Sequence, residues 1–202
     1  MGFGIATLGY GFMLTSWAGG GIFASLILAY GFFLASRFDK RFLAAAISAL
    51  FMFPYSLLLI LNILNRFELV RLYEIDENAL IYKIFYSVFL LAWTSMSYYY
   101  FTAVKQIAIE NSNKKLENKA MNRLYLTMVF LLGAFSLTVF GDIAGPAITL
   151  FFFVLQYFVI IINTMFLHTC FILITTESQY KKDKRQLIEE EKKRLEKRNK
   201  KE

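Results

Sequence analysis

The sequence predicts an all-α fold, a polytopic bundle of transmembrane helices followed by a charged cytoplasmic helical tail. Of the 202 residues, 57% are hydrophobic and only 18% are charged, whereas a soluble domain carries roughly 25% charged residues. The charges fall in short segments between apolar stretches, and each stretch approaches the ~20 residues that a helix needs to cross a bilayer. We therefore expect a multi-pass integral protein of the plasma membrane, with the lipid bilayer as its first partner.

The apolar stretches define the expected spans, because a water-soluble helix would need a polar face that they lack. The predicted spans cover residues 20–36, 42–64, 80–104, 124–141 and 146–176. Residues 3–17 are also apolar but too short for a simple crossing, so the chain has five spans, or six if this segment crosses. Pro54 lies inside the span 42–64 and predicts a kink, because proline removes a helical hydrogen bond. Residues 1–176 form the bundle and residues 177–202 the tail.

A five-residue sequence motif occurs twice in the first 36 residues, once on either side of three glycines. Residues 8–12 (LGYGF) return as residues 28–32 (LAYGF), with glycines 19–21 between the copies. As one helix this segment would extend about 52 Å, well beyond the ~30 Å hydrocarbon core. We expect a break at the glycines and favour a short hairpin, in which Gly11 and Gly31 let the backbones approach closely. The alternative is a re-entrant or interfacial segment that leaves the N-terminus outside.

The distribution of basic residues predicts the orientation of the bundle. Lysine and arginine favour cytoplasmic loops, and they are concentrated in residues 37–41, 105–123 and 177–202. The alternate loops, residues 66–79 and 141–145, are acidic or nearly uncharged. This alternation places the C-terminus in the cytoplasm.

Three interfacial features are also expected. Tyr98, Tyr99 and Tyr100 precede Lys105 as an aromatic belt at the inner interface would. Residues 67–75 alternate apolar and charged side chains, which indicates a short amphipathic segment on the outer surface. Asp142 is interpreted as an interfacial turn or cap residue.

Polar residues in the last span form a candidate intramembrane polar face. Its members are Gln156, Asn163, Thr164, His168 and Cys170. Residues seven apart drift only about 20° around a helix, and in hydrocarbon such groups should point at other helices. They either form interhelical hydrogen bonds or line a polar pathway or ligand pocket. His168 is the strongest single candidate for a functional residue because it is ionisable. A neutral imidazole bonded to a carbonyl or to Thr164 is nevertheless the favoured interpretation.

Neither a catalytic site nor a cofactor or metal site is predicted. One cysteine and one histidine exclude an internal disulfide and a multi-histidine metal centre. The GxSxG, HExxH and P-loop patterns are missing from the sequence. The net charge of +7 follows from basic cytoplasmic loops, so a nucleic-acid partner is not expected.

The tail is rich in helix formers and holds the candidate interaction residues. These are Lys181, Lys182, Lys184, Arg185, Leu187, Ile188 and Leu195. Some apolar members are spaced near seven, a short coiled-coil pattern. The expected partners are anionic lipid headgroups, a cytoplasmic protein, or a second copy through self-association. The sequence leaves open whether the tail continues the last span or starts a new helix after residues 175–179.

Two functions remain compatible with these features. The first is a non-enzymatic sensing, signalling or assembly protein whose tail contacts a cytoplasmic partner or anionic lipid. The alternative is a small transporter, or the membrane subunit of one, for a neutral or apolar solute, because interrupted helices often mark transport sites.

Overall fold

The computed structural model describes residues 2–69, 80–140 and 145–199, with side chains described through residue 174 except that of residue 140. Every regular element in these ranges is helical, which confirms the all-α prediction. The elements are α1 (Gly2–Met13), a 3₁₀ turn (Ser16–Ala18), α2 (Gly21–Ala35), α3 (Arg41–Leu50), α4 (Phe53–Arg66), α5 (Leu80–Glu110), α6 (Lys114–Phe140) and α7 (Pro146–Asn199).

Four helical stretches are long and apolar enough to cross a membrane. They are Arg41–Arg66, Leu80–Glu110, Lys114–Val139 and Pro146–Ile174. No more than 33% of the apolar window in any of them is buried inside the bundle, so most of that apolar surface faces outward. Such an exterior suits lipid rather than water, and the helices are compatible with an integral membrane protein. α2 is apolar but has only 15 residues, and α1 has 12.

Six helices form a closed ring around the core. Neighbours pack in the order α1, α2, α3, α5, α6 and α7, and α7 returns to α1. α4 continues from α3 and covers part of α2 and α5. The interior of the ring is filled with large side chains that are fully buried, among them Tyr10, Trp93, Tyr100, Phe32 and Phe101.

α1 and α2 form the expected hairpin. The 3₁₀ turn joins them, and Gly19 has a φ of 87°, a left-handed conformation that glycine adopts without steric cost. A methyl group on Gly31 would come within 2.6 Å of the backbone nitrogen of Ala6, so the predicted close approach occurs there. The same prediction was wrong for Gly11, around which there is open space.

A short break separates α3 from α4, two residues before Pro54. Phe51 and Met52 lie between the helices, and Pro54 sits in the first turn of α4. A proline ring clashes with the carbonyl four residues earlier, which is that of Leu50, the last residue of α3. The predicted kink at Pro54 is therefore a two-residue interruption within the helical stretch Arg41–Arg66.

α5 and α6 extend well beyond their predicted ends. α5 continues to Glu110 rather than residue 104, and α6 begins at Lys114 rather than residue 124. The side chain of Asn113 caps the N-terminus of α6, because its Oδ1 accepts a hydrogen bond of 3.1 Å from the backbone N–H of Leu116. Lysine, glutamine and glutamate are good helix formers. Because such residues follow the apolar run of α5 and precede that of α6, both helices extend beyond their apolar runs.

α7 is a single helix of 54 residues, about 81 Å long. It includes both the apolar segment and the tail to Asn199, so the tail does not begin a separate helix. The side chains of the predicted tail residues, Lys181, Lys182, Lys184, Arg185, Leu187, Ile188 and Leu195, lie outside the described part. The expectations for Asp142 and for most of the loop 66–79 also fall outside the described residues.

Candidate functional site

Five polar side chains meet inside the ring of helices, and we call them the polar cluster. They are Tyr10 of α1, Trp93, Ser97 and Tyr100 of α5, and Asn163 of α7. All five are 0% exposed. Burial of this degree is costly for polar groups unless they find hydrogen-bond partners, so the cluster is the most informative feature of the core.

The helix geometry explains why these residues meet. Trp93, Ser97 and Tyr100 are spaced at i, i+4 and i+7, which places them on one face of α5. Ser97 and Asn163 each lie 17 residues into their helices, or about 25 Å from the helix start. The cluster therefore lies near the middle of the bundle, and the α1–α2 hairpin brings Tyr10 to the same place.

Aromatic contacts hold the cluster in position. The rings of Tyr10 and Tyr100 meet edge to face with centroids 6.1 Å apart. Phe32 stacks on the other side of Tyr100 at 5.4 Å, and Phe130 meets Trp93 edge to face at 5.7 Å. Edge-to-face and offset rings attract each other through their quadrupoles, so the rings are well ordered around the polar atoms.

Hydrogen bonding inside the cluster is incomplete. Nδ2 of Asn163 donates to the hydroxyl of Thr127 on α6 over 3.0 Å. The Tyr10 hydroxyl interacts weakly with the polar groups of Ser97, Trp93, Tyr100 and Asn163, but none of these contacts has the distance and angles of a full hydrogen bond. Five buried atoms have no hydrogen-bond partner among the described residues: Tyr10 Oη, Trp93 Nε1, Ser97 Oγ, Tyr100 Oη and Asn163 Oδ1.

The unused hydrogen-bonding capacity has a definite chemical character. Trp93 can only donate, the three hydroxyls can donate and accept, and the Asn163 carbonyl can only accept. None of the five side chains is charged at neutral pH. Each unsatisfied buried group costs about 1–3 kcal/mol, and buried polar groups in folded proteins nearly always have a partner. The cluster therefore combines hydrogen-bond donors and an acceptor and carries no charge.

A cleft of about 360 Å³ lies beside the cluster, and we call it the aromatic cleft. It is bordered by the 3₁₀ turn, α2, α4, α5 and α7, and its lining includes Ser16, Tyr55, Ser56, Tyr86, Phe89 and Gln156. Tyr55 contacts Tyr86 and Phe89, with ring centroids 5.1 and 5.0 Å apart. Its hydroxyl also forms a hydrogen bond of 3.0 Å with that of Tyr82.

One ring separates the aromatic cleft from the polar cluster. Phe89 lines the cleft, and its centroid lies 6.0 Å from the ring of Trp93 in an edge-to-face contact. The indole of Trp93 in turn belongs to the polar cluster. The Phe89 ring thus forms the wall between the two features.

The structure separates the five residues of the candidate polar face. Asn163 and Cys170 are buried in the core, Gln156 lines the aromatic cleft, and Thr164 donates to the carbonyl of Ile160 within α7 over 2.8 Å. His168 is exposed on the outside of the bundle. His168 follows Asn163 by five residues, which corresponds to about 500° of rotation, or one full turn and a further 140°. The two side chains therefore point in very different directions from α7.

Three members of the polar cluster were not predicted as site residues from the sequence. Tyr10 and Trp93 were not singled out as site residues, and Tyr100 was assigned to an interfacial belt. That assignment was wrong, because Tyr100 is fully buried whereas Tyr98 is 52% exposed. The i, i+4, i+7 spacing of Trp93, Ser97 and Tyr100 predicts that these three residues share one face of the helix. It is the sequence signal that distinguishes Tyr100 from Tyr98 and Tyr99.

In the part of the chain that the structure describes, no three His, Cys, Asp or Glu side chains come together. Comparisons with known proteins leave the site as the only basis for a function. No protein-family model matches this chain, and no curated protein or solved structure is significantly similar to it.

Proposed function

We propose that this chain is a non-enzymatic, multi-pass membrane sensor in which α7 connects the polar cluster to the charged tail. One observation carries the proposal: the helix that supplies Asn163 to the polar cluster continues unbroken to Asn199. A continuous helix transmits rotation and translation along its length, whereas a turn between the two segments would absorb them. Since 36 residues separate the two positions, the signal would travel about 54 Å.

The hydrogen bond between Asn163 and Thr127 supplies the element that can change state. It fixes α7 against α6 at one rotation, and a molecule that competes for the Asn163 amide would favour another. A ligand shifts such an equilibrium only by its differential affinity for the two arrangements. A ligand that binds the free carbonyl of Asn163 and draws its amide away from Thr127 would meet that condition, because it would bind only the arrangement in which the bond to Thr127 is broken.

The output of the proposed sensor is the basic tail. The candidate contact residues are the lysines and arginine of residues 181–185 and the apolar side chains Leu187, Ile188 and Leu195. Basic residues beside a membrane gain up to about 1 kcal/mol each from an anionic leaflet. We propose that a movement of α7 changes how the tail contacts anionic lipid or a cytoplasmic protein, with the C-terminus on the cytoplasmic side of the plasma membrane.

Transport of a neutral solute is the second candidate, and the aromatic cleft favours it. A cleft bordered by the 3₁₀ turn and by α4 lies where the chain interrupts its helices twice, and interrupted helices often line transport sites. A transporter would need the polar cluster to open alternately to both sides. It would not need the tail to respond to the cluster, and this difference separates the two functions.

The test measures the tail while the cluster is changed. The only native cysteine, Cys170, is buried, so Ser178→Cys adds a second thiol, in the tail, for an environment-sensitive fluorophore. The full chain is placed in vesicles with and without phosphatidylserine. Asn163→Leu should shift the emission of the label, and Thr127→Val, which keeps Asn163, should shift it in the same direction.

Ser25→Ala is the matched control, because Ser25 is equally buried but donates only to the carbonyl of Ile22 in its own helix. It should leave the emission unchanged. Circular dichroism and size-exclusion chromatography identify variants that have lost the fold. Folded Asn163 and Thr127 variants whose label behaves as in the unmodified chain would overturn the sensor proposal.

A further inference from the structure

We propose that the aromatic cleft and the polar cluster form one binding site for a neutral small molecule with an aromatic body and a single hydroxyl or amide head. The body would occupy the cleft, and the head would reach the cluster once the Phe89 ring that separates the two features has turned aside. The inference deepens the proposed function, on which it rests, by naming the chemical class of the input.

Distances along the helices set the size of the molecule. Gln156 in the cleft and Asn163 in the cluster are seven residues apart on α7, which corresponds to about 10 Å. Phe89 and Trp93 are four residues apart on α5, or about 6 Å. A ligand of about 10 Å therefore spans both features, and a volume of about 360 Å³ in the cleft is enough for one or two rings.

The absence of charge in the site selects a neutral molecule. None of the described residues that line the aromatic cleft is charged, and the five cluster residues are also uncharged. A buried ion without a charged or metal partner loses its hydration energy with little compensation. Cations and anions of the same size should thus bind much more weakly than a neutral analogue.

The polar cluster selects a head that mainly accepts hydrogen bonds and also donates one. Trp93 Nε1 and the hydroxyls of Tyr10, Ser97 and Tyr100 offer donors, while Asn163 Oδ1 needs a donor. A hydroxyl or a primary amide meets both requirements. A purely apolar molecule would leave all five atoms without a full hydrogen bond, and a site built for hydrogen bonds discriminates against an analogue that lacks them.

The aromatic walls favour an aromatic body. Tyr55, Tyr86 and Phe89 contact one another along the cleft, and aromatic rings attract a further ring by offset stacking or edge to face. Gln156 and Ser56 at the border add polar groups without charge. The combination of apolar walls and a few convergent polar atoms is typical of small-molecule sites.

The experiment uses Trp93 as the reporter. The chain has two tryptophans, and Trp17 is 67% exposed whereas Trp93 is fully buried. In the full chain with Trp17→Phe, which keeps an aromatic side chain at the border of the cleft, the emission comes from Trp93 alone. The probes share one body and differ in the head: phenylbutanol, phenylbutylamine, phenylbutyrate and butylbenzene.

Phenylbutanol should change the emission of Trp93 saturably and raise the thermal midpoint of the protein. The other three probes should bind at least about tenfold more weakly, equivalent to ~1.4 kcal/mol. Asn163→Leu should weaken the binding of phenylbutanol several-fold, and His168→Gln, on the outer face of the same helix, should not. A second cluster variant, Ser97→Ala, keeps the comparison valid if Asn163→Leu fails to fold.

Equal affinities for all four probes would show partition into apolar surface and overturn the proposal. The proposal also fails if no probe produces a saturable change, because the cluster then accommodates water alone. Saturable binding of phenylbutanol without any response of the tail label would sustain this inference and reject the sensor function. A tail label that responds to Asn163→Leu, in a protein that binds no probe, would do the reverse.

Discussion

Nδ2 of Asn163 on α7 donates a hydrogen bond of 3.0 Å to the hydroxyl of Thr127 on α6, and both side chains are fully buried. The two residues are 36 positions apart in the chain, so the bond links separate helices. In apolar surroundings a bond of this kind fixes the relative rotation of the helices that it joins. The carbonyl of the same amide has no partner among the described side chains, so the amide is anchored on one side and available on the other.

Thr127→Val should destabilise the protein by about 1–2 kcal/mol, because it keeps the shape of the side chain and leaves Nδ2 of Asn163 without an acceptor. Thermal and denaturant unfolding in detergent provide the measurement. Thr138→Val is the matched control on α6, since the Thr138 hydroxyl donates only to the carbonyl of Ala134 in its own helix. It should be nearly neutral.

A double-mutant cycle isolates the contact itself. The combination of Thr127→Val with Asn163→Leu should cost less than the sum of the single changes, with a coupling of about 0.6–1.7 kcal/mol. Strict additivity of the two changes would show that the bond contributes nothing to the pairing of α6 with α7.

Gly31→Ala should destabilise the α1–α2 hairpin by about 1–3 kcal/mol, the usual cost of overpacking. The new methyl group would lie 2.6 Å from the nitrogen and 2.9 Å from the Cα of Ala6, and backbone atoms cannot move aside as a side chain can. Thermal unfolding of the purified protein gives the comparison.

Gly11→Ala is the matched control, because Gly11 occupies the same position in the first copy of the repeated motif as Gly31 does in the second. No atom lies within 4 Å of the carbon that the substitution adds. It should be neutral or stabilise the helix by up to about 1 kcal/mol, since glycine inside a helix is unfavourable. If both substitutions had the same effect, the packing of α1 against α2 would differ from that described here.

The sequence predicted most of the fold because the bilayer constrains it so strongly. Long apolar runs must be helices there, and Pro54 and Gly19 mark the breaks for reasons of backbone geometry. The ends of α5 and α6 could not be predicted in the same way. Apolar runs end where the bilayer ends, whereas a helix continues for as long as its residues favour it.

The candidate site could be predicted only in part. Asn163 stood out because an amide in an apolar run needs a partner, but nothing in the sequence names that partner as Thr127. Tyr10 reaches the cluster through the α1–α2 hairpin and the ring of helices, which are tertiary relationships. His168 was selected for its chemistry, and the rotation of α7, which decides its surroundings, is set by contacts with α1 and α6.

His168→Gln should change the stability by no more than about 0.5 kcal/mol, as expected for an exposed position. Leu167→Gln, one residue earlier, should cost more than about 2 kcal/mol, because Leu167 is fully buried and the change both opens a cavity and buries an amide. Thermal midpoints of the two variants, measured side by side, test the rotation of α7. A larger loss for His168→Gln than for Leu167→Gln would contradict it.

The position of the N-terminus follows from the hairpin and is our last prediction. A methyl group on Gly2 would lie 2.7 Å from the backbone nitrogen of Ala35, so the start of α1 and the end of α2 are at the same end of the bundle. Arg37, Lys40 and Arg41 follow directly, and basic residues favour the cytoplasmic side.

An epitope attached before residue 1 should therefore be detected only after cells are permeabilised. A thiol introduced by Trp17→Cys at the tip of the hairpin should react with an impermeant maleimide in intact cells, while Lys114→Cys, at the start of α6, should not. Detection of the epitope in intact cells would exclude a hairpin that crosses the membrane and would favour an interfacial first segment.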